Sequence, residues 1–323
     1  MPQKPAHAGF FMCMTASPTY RGRFAPSPTG PLHFGSLVAA LASFLDARAN
    51  GGQWLVRIED VDQTRTVAGA ADDILRTLAA LGFAWDDGVT YQSHRTAIYE
   101  DALACLRRIG AAYDCACSRT DVARAGRLGP EGPVYPGTCR HGTPRGAASR
   151  AVRVRTHDDP ITVSDGVYGT WSQRLEGTVG DFVVRRADGF FAYQLAVVVD
   201  DADQAITRVV RGADLLSSTP RQVYLQGLLG LPTPSYAHVP LVLDTGGRKL
   251  SKRDLAHPID PRQPLPALLA AWAFLGQAVD CEQPASPAEF WGLAMERWDL
   301  GRIPARPPPL GATGDAAGTT DKD

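Results

Sequence analysis

The chain has 323 residues, a formal net charge of -1, 44% hydrophobic residues and 21% charged residues. These values are close to the globular average, so a packed core is expected, and the length predicts two domains or one domain with an insertion. No run approaches the ~20 apolar residues of a membrane span, and residues 1–17 are too interrupted for a signal peptide. We therefore expect a cytoplasmic protein with no membrane segment.

The first part of the chain alternates short apolar strands with amphipathic helices. Glycines end the first two helices, and leucines recur on one face of each. Helices that alternate with strands in this way indicate parallel βαβ units and an α/β fold. The predicted strands are residues 21–25 and 53–58, and the predicted helices are residues 36–49, 67–81 and 95–109.

Helical periodicity is lost from about residue 114 to residue 180, where Gly and Pro are frequent, and this predicts an inserted module. The β/α pattern returns at residues 181–185 and 195–199, followed by a helix at 219–230 and a strand at 238–243. The predicted organisation is a flexible extension (1–19), a first core half (20–113), the module (114–180), a second core half (181–260), a C-terminal helical segment (261–310) and a disordered tail (311–323).

The phrase RFAPSPTGPLHFGS at residues 23–36 is the first candidate site. It places a tight turn after a strand, and His33 and Ser36 then lie at the start of a helix, where free N–H groups and the dipole favour phosphate. Gly35 lets a nucleotide approach the backbone closely. A lone His-x-Gly is more often a surface histidine beside a helix cap, so the interpretation depends on the whole phrase.

The phrase KLSK at residues 249–252 is the second candidate site. Of 33 basic residues only four are lysines, and Lys249 and Lys252 are the two that lie away from the termini. A compact ammonium suits a migrating pyrophosphate better than a planar guanidinium does. The alternative is chance placement in a surface loop.

These two phrases resemble the HIGH and KMSKS signatures of class I aminoacyl-tRNA synthetases. Residues 23–30 together with RIED at 57–60 are similar to glutamyl-tRNA synthetases, and the resemblance covers about residues 20–260. It implies a Rossmann-like doubly wound parallel sheet and catalysis by His33 and Lys252. The implied ATP-binding residues, acting with Mg²⁺, are His33, Gly35, Ser36, Lys249 and Lys252.

Both signatures depart from the family pattern. Ser36 stands where the second histidine is expected, Leu250 replaces Met, and Arg253 replaces the last Ser. His33, Gly35 and Lys252 are intact, so we expect activation to survive.

Recognition of glutamate requires groups for two carboxylates and one ammonium. Arg23 and Arg211 are candidates for the carboxylates because guanidinium forks match them, Glu59 is a candidate for the ammonium, and Tyr193 could supply a hydroxyl. Taken alone, each has a structural alternative, such as a core tyrosine or a surface arginine. The family resemblance supports all four and adds the phrase residues Phe24, Ala25, Pro26 and Ser27.

Three of the six cysteines cluster in the module, at Cys115, Cys117 and Cys139. Three thiols are one ligand short of tetrahedral zinc. His141 is favoured as the fourth ligand by chemistry alone, whereas Tyr135 is favoured by the resemblance, so we expect one structural zinc held with Tyr135. Three buried, reduced cysteines are the alternative.

The nearest resemblance is to glutamyl-queuosine tRNA(Asp) synthetases, the short paralogues of glutamyl-tRNA synthetases. Residues 192–201 and 210–215 are similar to that family's glutamate pocket, and only 71 residues follow Lys252. The resemblance implies transfer of glutamate to queuosine in the anticodon wobble position of tRNA(Asp), by a protein without an anticodon-binding domain and most simply a monomer.

Two other functions compete with this one. A truncated glutamyl-tRNA synthetase would charge a tRNA 3′ end, although the short C-terminal part counts against it. A non-catalytic tRNA- or nucleotide-binding paralogue is opposed by the intact His33 and Lys252.

The charge distribution is compatible with an RNA partner. Residues 119–155 contain eight arginines and only two acidic residues. Such a basic patch fits a phosphate backbone, and a solvated Arg-rich loop is an equal alternative.

Overall fold

The computed structural model describes residues 19–144, 146, 148, 150–242, 258–277 and 283–305. Its strands in chain order are β1 (Arg21–Phe24), β2 (Gln53–Ile58), β3 (Thr90–Tyr91), β4 (Ala112–Cys115), β5 (Leu128–Gly129), β6 (Gly132–Pro133), β7 (Ala151–Val154), β8 (Pro160–Asp165), β9 (Gly169–Arg174), β10 (Phe182–Arg185), β11 (Arg208–Gly212) and β12 (Ser235–Val239). Its α-helices are α1 (Phe34–Ala49), α2 (Ala70–Ala80), α3 (Thr96–Arg108), α4 (Arg119–Ala125), α5 (Leu175–Thr178), α6 (Tyr193–Asp203), α7 (Thr219–Leu229), α8 (Pro264–Phe274) and α9 (Pro287–Arg297). None of the helices in these ranges has the length and apolar character needed to cross a lipid bilayer.

Two groups of parallel strands form the centre of the fold. Strand β2 pairs in parallel with β1 and β3, and β12 pairs in parallel with β11 and β8. The edges of the two groups meet where the backbone N–H of Thr207 donates to the carbonyl of Arg21 at 2.9 Å. The α/β class with parallel strands is therefore confirmed.

Helix α1 is central because nearly its whole length is buried. Its residues from Leu37 to Ala47 pack against the sheet on one side and against α8 and α9 on the other. The imidazole of His33 caps the helix by accepting from the backbone N–H of Ser36 at 3.2 Å. The helices predicted at residues 36–49, 67–81 and 95–109 all exist, with ends displaced by no more than three residues.

An aromatic cluster joins the first half of the core to the C-terminal helices. Phe44 of α1 contacts Trp54, Phe83 and Trp291 at ring-centroid distances of 5.1, 5.4 and 5.1 Å. Trp291 of α9 also donates its indole N–H to the carbonyl of Leu81 at 3.0 Å. The C-terminal helices thus close the apolar side of α1.

One sequence expectation on the second half is wrong. Residues 195–199, which suggested a returning strand, lie inside helix α6, and they are buried on every side, with Asp200 and Asp201 following on the same helix. A short apolar run that is wholly buried has no period of its own, so helix and strand cannot be separated from it. The strand expected at 238–243 is β12 and ends at Val239.

The predicted module boundaries at residues 114 and 180 stay a prediction. Strand pairing crosses both of them, because β7 pairs antiparallel with β4 on one side and with β10 on the other. Strand β8 also joins the parallel group of β11 and β12. Of the predicted extension at 1–19, residues 1–18 lie outside the described residues, and so does the whole predicted tail at 311–323.

Candidate active site

A cavity of 310 Å³ opens at the carboxyl ends of β1, β2, β11 and β12. Ligands of open α/β sheets bind at this edge, beyond the carboxyl ends of the strands. Every sequence-predicted residue for glutamate or ATP that the structure describes lines this cavity: Arg23, Phe24, Ala25, Pro26, Ser27, His33, Gly35, Ser36, Glu59, Tyr193 and Arg211.

The side chain of Arg23 is held from behind by a buried carboxylate. Its Nε and Nη2 lie 3.1 and 3.4 Å from the two oxygens of Asp201 on α6. Asp201 also accepts from Nη2 of Arg57 at 2.7 Å, and the guanidinium of Arg57 has no exposed surface. Burial alone would raise the pKa of Asp201, but the charges of Arg23 and Arg57 outweigh it and lower that pKa. Asp201 therefore stays ionised and leaves Nη1 of Arg23 for the cavity.

Glu59 follows β2 and has a carboxylate oxygen with no hydrogen-bond partner. This atom, Oε1, is buried, and the nearest cation is Arg57 at 3.7 Å. Burial raises the pKa of Glu59 to about 7, against the opposing effect of Arg57 and Arg23. A buried acceptor without a donor is costly, so this atom fits a cationic ligand group in the cavity.

Arg211 at the end of β11 is fixed by four acceptors. Its Nε donates to His238 at 3.0 Å and its Nη1 to the Tyr193 hydroxyl at 3.3 Å. Its Nη2 donates to Thr219 Oγ1 at 2.9 Å and to the carbonyl of Leu215 at 3.3 Å. The guanidinium is therefore preorganised, with its Nη1 edge beside Tyr193 in the cavity.

His33 lines the cavity from the N-terminus of α1. Its Nδ1 accepts the helix N–H, so the ring proton is on Nε2, which lies 3.0 Å from Ser36 Oγ. The ring therefore lies at the amino end of a helix, where the backbone N–H groups and the helix dipole suit a phosphate oxygen. Sequence reasoning placed His33 at this helix start but did not identify its capping role.

The second predicted site, Lys249 and Lys252, lies outside the described residues. The described residues nearest to it on either side are at the cavity. Val242 lines the cavity, and Pro258 pairs with His33 in an isolated bridge. The two ends of the segment that carries Lys249 and Lys252 therefore lie beside the first signature phrase.

The three cysteines predicted to bind metal are brought together. All three Sγ atoms lie within 4.8 Å of one another, and Cys117 and Cys139 are 3.7 Å apart. The Tyr135 hydroxyl lies 3.4 Å from Cys115 Sγ and 3.8 Å from Cys117 Sγ. Zn–S and Zn–O bonds of about 2.3 and 2.0 Å in a tetrahedron place sulfurs about 3.8 Å apart and sulfur and oxygen about 3.5 Å apart. The donor set therefore fits a tetrahedral zinc ion.

Tyr135 is the better-placed fourth donor. His141 is exposed and is not among the residues that group with the three thiols. Tyr135 is packed against Gly180, where a Cβ would lie 2.6 Å from the Tyr135 carbonyl oxygen and where φ is 72°. Glycine at this position lets the module approach closely enough for the tyrosine to reach the cysteines.

The arginines of residues 119–155 divide into two groups. Arg140 binds both oxygens of Asp181 at 2.6 and 2.7 Å, Arg153 lies 3.9 Å above the ring of Tyr135, and Arg155 donates to the carbonyl of Arg140 at 2.5 Å. These three are half-buried and hold the module together. The exposed arginines among the described residues of this stretch are Arg119, Arg124, Arg127 and Arg150.

Comparisons with known proteins agree with this geometry. The family profile described as tRNA synthetases class I (E and Q), catalytic domain, matches residues 19–263. A glutamyl-Q tRNA(Asp) synthetase of Thiobacillus denitrificans is 54% identical over 88% of this chain and 95% of that relative. A Burkholderia mallei protein of the same name is 57% identical over 87% of this chain and 96% of its own. The chain belongs to the glutamyl-Q tRNA(Asp) synthetase family. It is accordingly a class I aminoacyl-tRNA synthetase-like ligase.

Solved structures of class I synthetases resemble this glutamyl-Q tRNA(Asp) synthetase family member in fold. A glutamate tRNA ligase of Elizabethkingia meningosepticum superimposes with a TM-score of 0.75 at 26% identity. The match covers 88% of this chain and 66% of that ligase chain. The class I catalytic fold expected from the sequence is thus confirmed.

Two buried residues beside the cavity were missed by sequence reasoning. His238 on β12 and Asp165 at the end of β8 have no exposed side-chain surface and lie 2.6 Å apart. A histidine between alanine and valine in an apolar strand was the available signal, because a buried polar side chain requires a partner.

Proposed function

We propose that this chain uses ATP to convert L-glutamate to glutamyl-adenylate and then transfers the glutamyl group to queuosine in the anticodon wobble position of tRNA(Asp). One observation carries the proposal. Two buried arginines and a buried carboxylate oxygen without a hydrogen-bond partner line a single cavity at the strand ends, in a chain more than half identical to glutamyl-Q tRNA(Asp) synthetases. This set of charges complements glutamate, which carries two carboxylates and one ammonium.

In the activation step a carboxylate oxygen of glutamate attacks the α-phosphorus of ATP, and pyrophosphate leaves. Arg23 and Arg211 bind the two carboxylates, and Tyr193 adds a hydroxyl donor. The free oxygen of Glu59 receives the ammonium, which keeps the carboxyl ionised despite its burial. Holding the substrate at three charged points orients the reacting oxygen and removes the entropy cost of alignment from the reaction.

The nucleotide lies against the first signature. His33 and the first backbone N–H groups of α1 lie together at the helix N-terminus, where they favour phosphate oxygens, and Ser36 and Gly35 form the adjoining wall. Lys249 and Lys252 would neutralise the departing pyrophosphate from the segment that leaves the cavity at Val242 and returns at Pro258. Mg²⁺ bound to ATP supplies further neutralisation of phosphate charge.

In the transfer step a hydroxyl of the queuosine cyclopentene-diol attacks the carbonyl carbon of the adenylate. AMP leaves, and the hydroxyl proton is released to solvent or to the leaving phosphate. Among the described arginines of this stretch, the exposed Arg119, Arg124 and Arg150 are available to the RNA backbone, since Arg127, Arg140, Arg153 and Arg155 bind protein groups.

We infer that Cys115, Cys117, Cys139 and Tyr135 hold one structural zinc ion. The Cys117–Cys139 separation of 3.7 Å and the Tyr135 hydroxyl distances of 3.4 and 3.8 Å to Cys115 and Cys117 are close to those of a tetrahedral site. Bound zinc would cross-link the module and so fix the surface that carries the exposed arginines.

Two assays test the function. ATP–pyrophosphate exchange is measured with glutamate, aspartate and glutamine, and we expect exchange with glutamate alone. Radiolabelled glutamate is then supplied with tRNA(Asp) that carries or lacks queuosine, and the labelled nucleoside is identified after nuclease digestion. Label on queuosine is expected.

The outcomes separate the competing functions. Label on the 3′ adenosine would indicate an ordinary glutamyl-tRNA synthetase. No exchange with glutamate, with or without tRNA, would indicate a non-catalytic binding protein. Either result overturns the proposal.

A further inference from the structure

Behind the cavity lies a buried pair of titratable groups that the activation step does not use. Asp165 Oδ2 lies 2.6 Å from His238 Nδ1, and both side chains are fully buried. The other oxygen of Asp165 accepts the backbone N–H groups of Val167 and Tyr168, each at 3.0 Å. The carboxylate is therefore fully used, and its position is fixed by the turn that follows β8.

The contacts of His238 determine which ring nitrogen carries the proton. Nε2 lies 3.0 Å from Nε of Arg211, and that group can only donate. Nε2 must accept, so the proton is on Nδ1 and is donated to Asp165. Burial lowers the pKa of His238 to about 4, although Asp165 acts to raise it, so the ring is neutral at neutral pH.

With this tautomer, His238 accepts a hydrogen bond from Arg211, and Arg211 keeps its other N–H groups for acceptors that include Tyr193 at the cavity. Arg211 has five N–H donors, and four are directed at His238, Thr219, Leu215 and Tyr193. The Tyr193 oxygen accepts from Arg211, so its own proton is free to be donated. Burial raises the pKa of Tyr193 to about 12, which keeps that proton in place. One N–H of Arg211 Nη1 and the O–H of Tyr193 are thus adjacent donors at the cavity wall.

We propose that Asp165 and His238 are positioning residues that orient Arg211, so that Arg211 Nη1 and the Tyr193 hydroxyl together bind one carboxylate of glutamate. The assignment of that carboxylate to glutamate rests on the proposed function. Asp165 acts through the histidine, whose tautomer decides whether Arg211 faces an acceptor or another donor.

Asp165→Asn tests the direction of these hydrogen bonds with little change in shape. The asparagine oxygen can still accept from Val167 and Tyr168, while its amide presents a donor to His238 Nδ1. The ring must then carry its proton on Nε2, opposite the Nε–H of Arg211. Losing one charge-assisted bond in this way is expected to raise KM for glutamate about 10- to 100-fold, with KM for ATP changed less than about twofold.

The Asp165→Asn substitution is also tested in a second background, the His238→Gln variant. Its amide oxygen can accept from Arg211 without help from Asp165, so Asp165→Asn is expected to have less than about a threefold effect there. Asp158→Asn, an exposed carboxylate that pairs with Arg174, is the control and should leave both KM values unchanged. The tautomer itself is read from ¹⁵N shifts of histidine-labelled wild-type protein, with His238→Gln assigning the signal.

The results distinguish this proposal from the proposed function. A proton on Nε2 of His238 in the wild type, or an unchanged glutamate KM in Asp165→Asn, would overturn the positioning role alone. A parallel rise of both KM values with loss of folded protein would show a merely structural pair and would also overturn it. Absence of glutamate-dependent exchange in the wild type would overturn the proposed function and with it the assignment to glutamate.

Discussion

Replacing Glu59 by glutamine should stabilise the protein while removing glutamate binding. Burial raises the pKa of Glu59 from 4.5 to about 7. A carboxyl with a raised folded-state pKa destabilises the fold as pH rises above the unfolded value, and the loss is complete above the folded value. At ~1.36 kcal/mol per pKa unit, ionised Glu59 costs about 3 kcal/mol above pH 7.

Urea unfolding of wild type and Glu59→Gln without glutamate measures this cost. We expect the variant to be more stable by up to about 3 kcal/mol near pH 8 and by less than about 1 kcal/mol near pH 5, since glutamine does not titrate. Glu296→Gln on the exposed surface of α9 is the matched control and should show no such pH dependence. Saturating glutamate should stabilise the wild type and leave the variant unchanged. Equal stability differences at both pH values, or a less stable variant near pH 8, would refute the reasoning.

Three further perturbations test other parts of the structure. Arg23→Lys removes the fork shared with Asp201 and should raise KM for glutamate about 10- to 100-fold in pyrophosphate exchange, with KM for ATP unchanged. Cys139→Ser should lower the zinc content measured by mass spectrometry from about one ion per chain to near zero, and zinc retention would contradict the ligand set. Asp181→Ala removes the buried carboxylate that binds Arg140 through two nitrogens, leaving only the half-exposed carboxylate of Glu176, and should cost about 3 kcal/mol in urea unfolding. An Asp158→Ala variant, exposed on the surface, should change that stability little.

The features that could be predicted from the sequence are those set by residues close together along the chain. The helix starting near Ser36, the buried strand Gln53–Ile58 and the helix beginning at Thr219 are set by glycines, a proline in the first helical turn and apolar spacing, all readable within a few residues. The cavity residues from Arg23 to Ser36 were found because the first signature phrase lies next to β1 and α1, whereas Glu59, Tyr193 and Arg211 were found through the family resemblance. The shared position of these residues then follows from parallel strands, whose carboxyl ends meet at one edge.

What the sequence did not predict depends on partners far along the chain. Arg140 was counted in a basic patch, but its charge is balanced by Asp181, 41 positions away. Asp165 and His238, 73 positions apart, pair only because β8 and β12 are neighbours. Such pairs cannot be found from charge counts or from hydrophobic periodicity, because neither of these shows which strands become neighbours in the sheet.

The position of Trp291 determines how short a working fragment of this enzyme can be. The matched catalytic domain ends at residue 263, before α8 and α9 begin. A fragment cut there would expose Phe44 and Phe83 to water and leave the carbonyl of Leu81 without its indole donor. A working fragment should therefore keep both α8 and α9, because these helices belong to the same folding unit as the catalytic sheet.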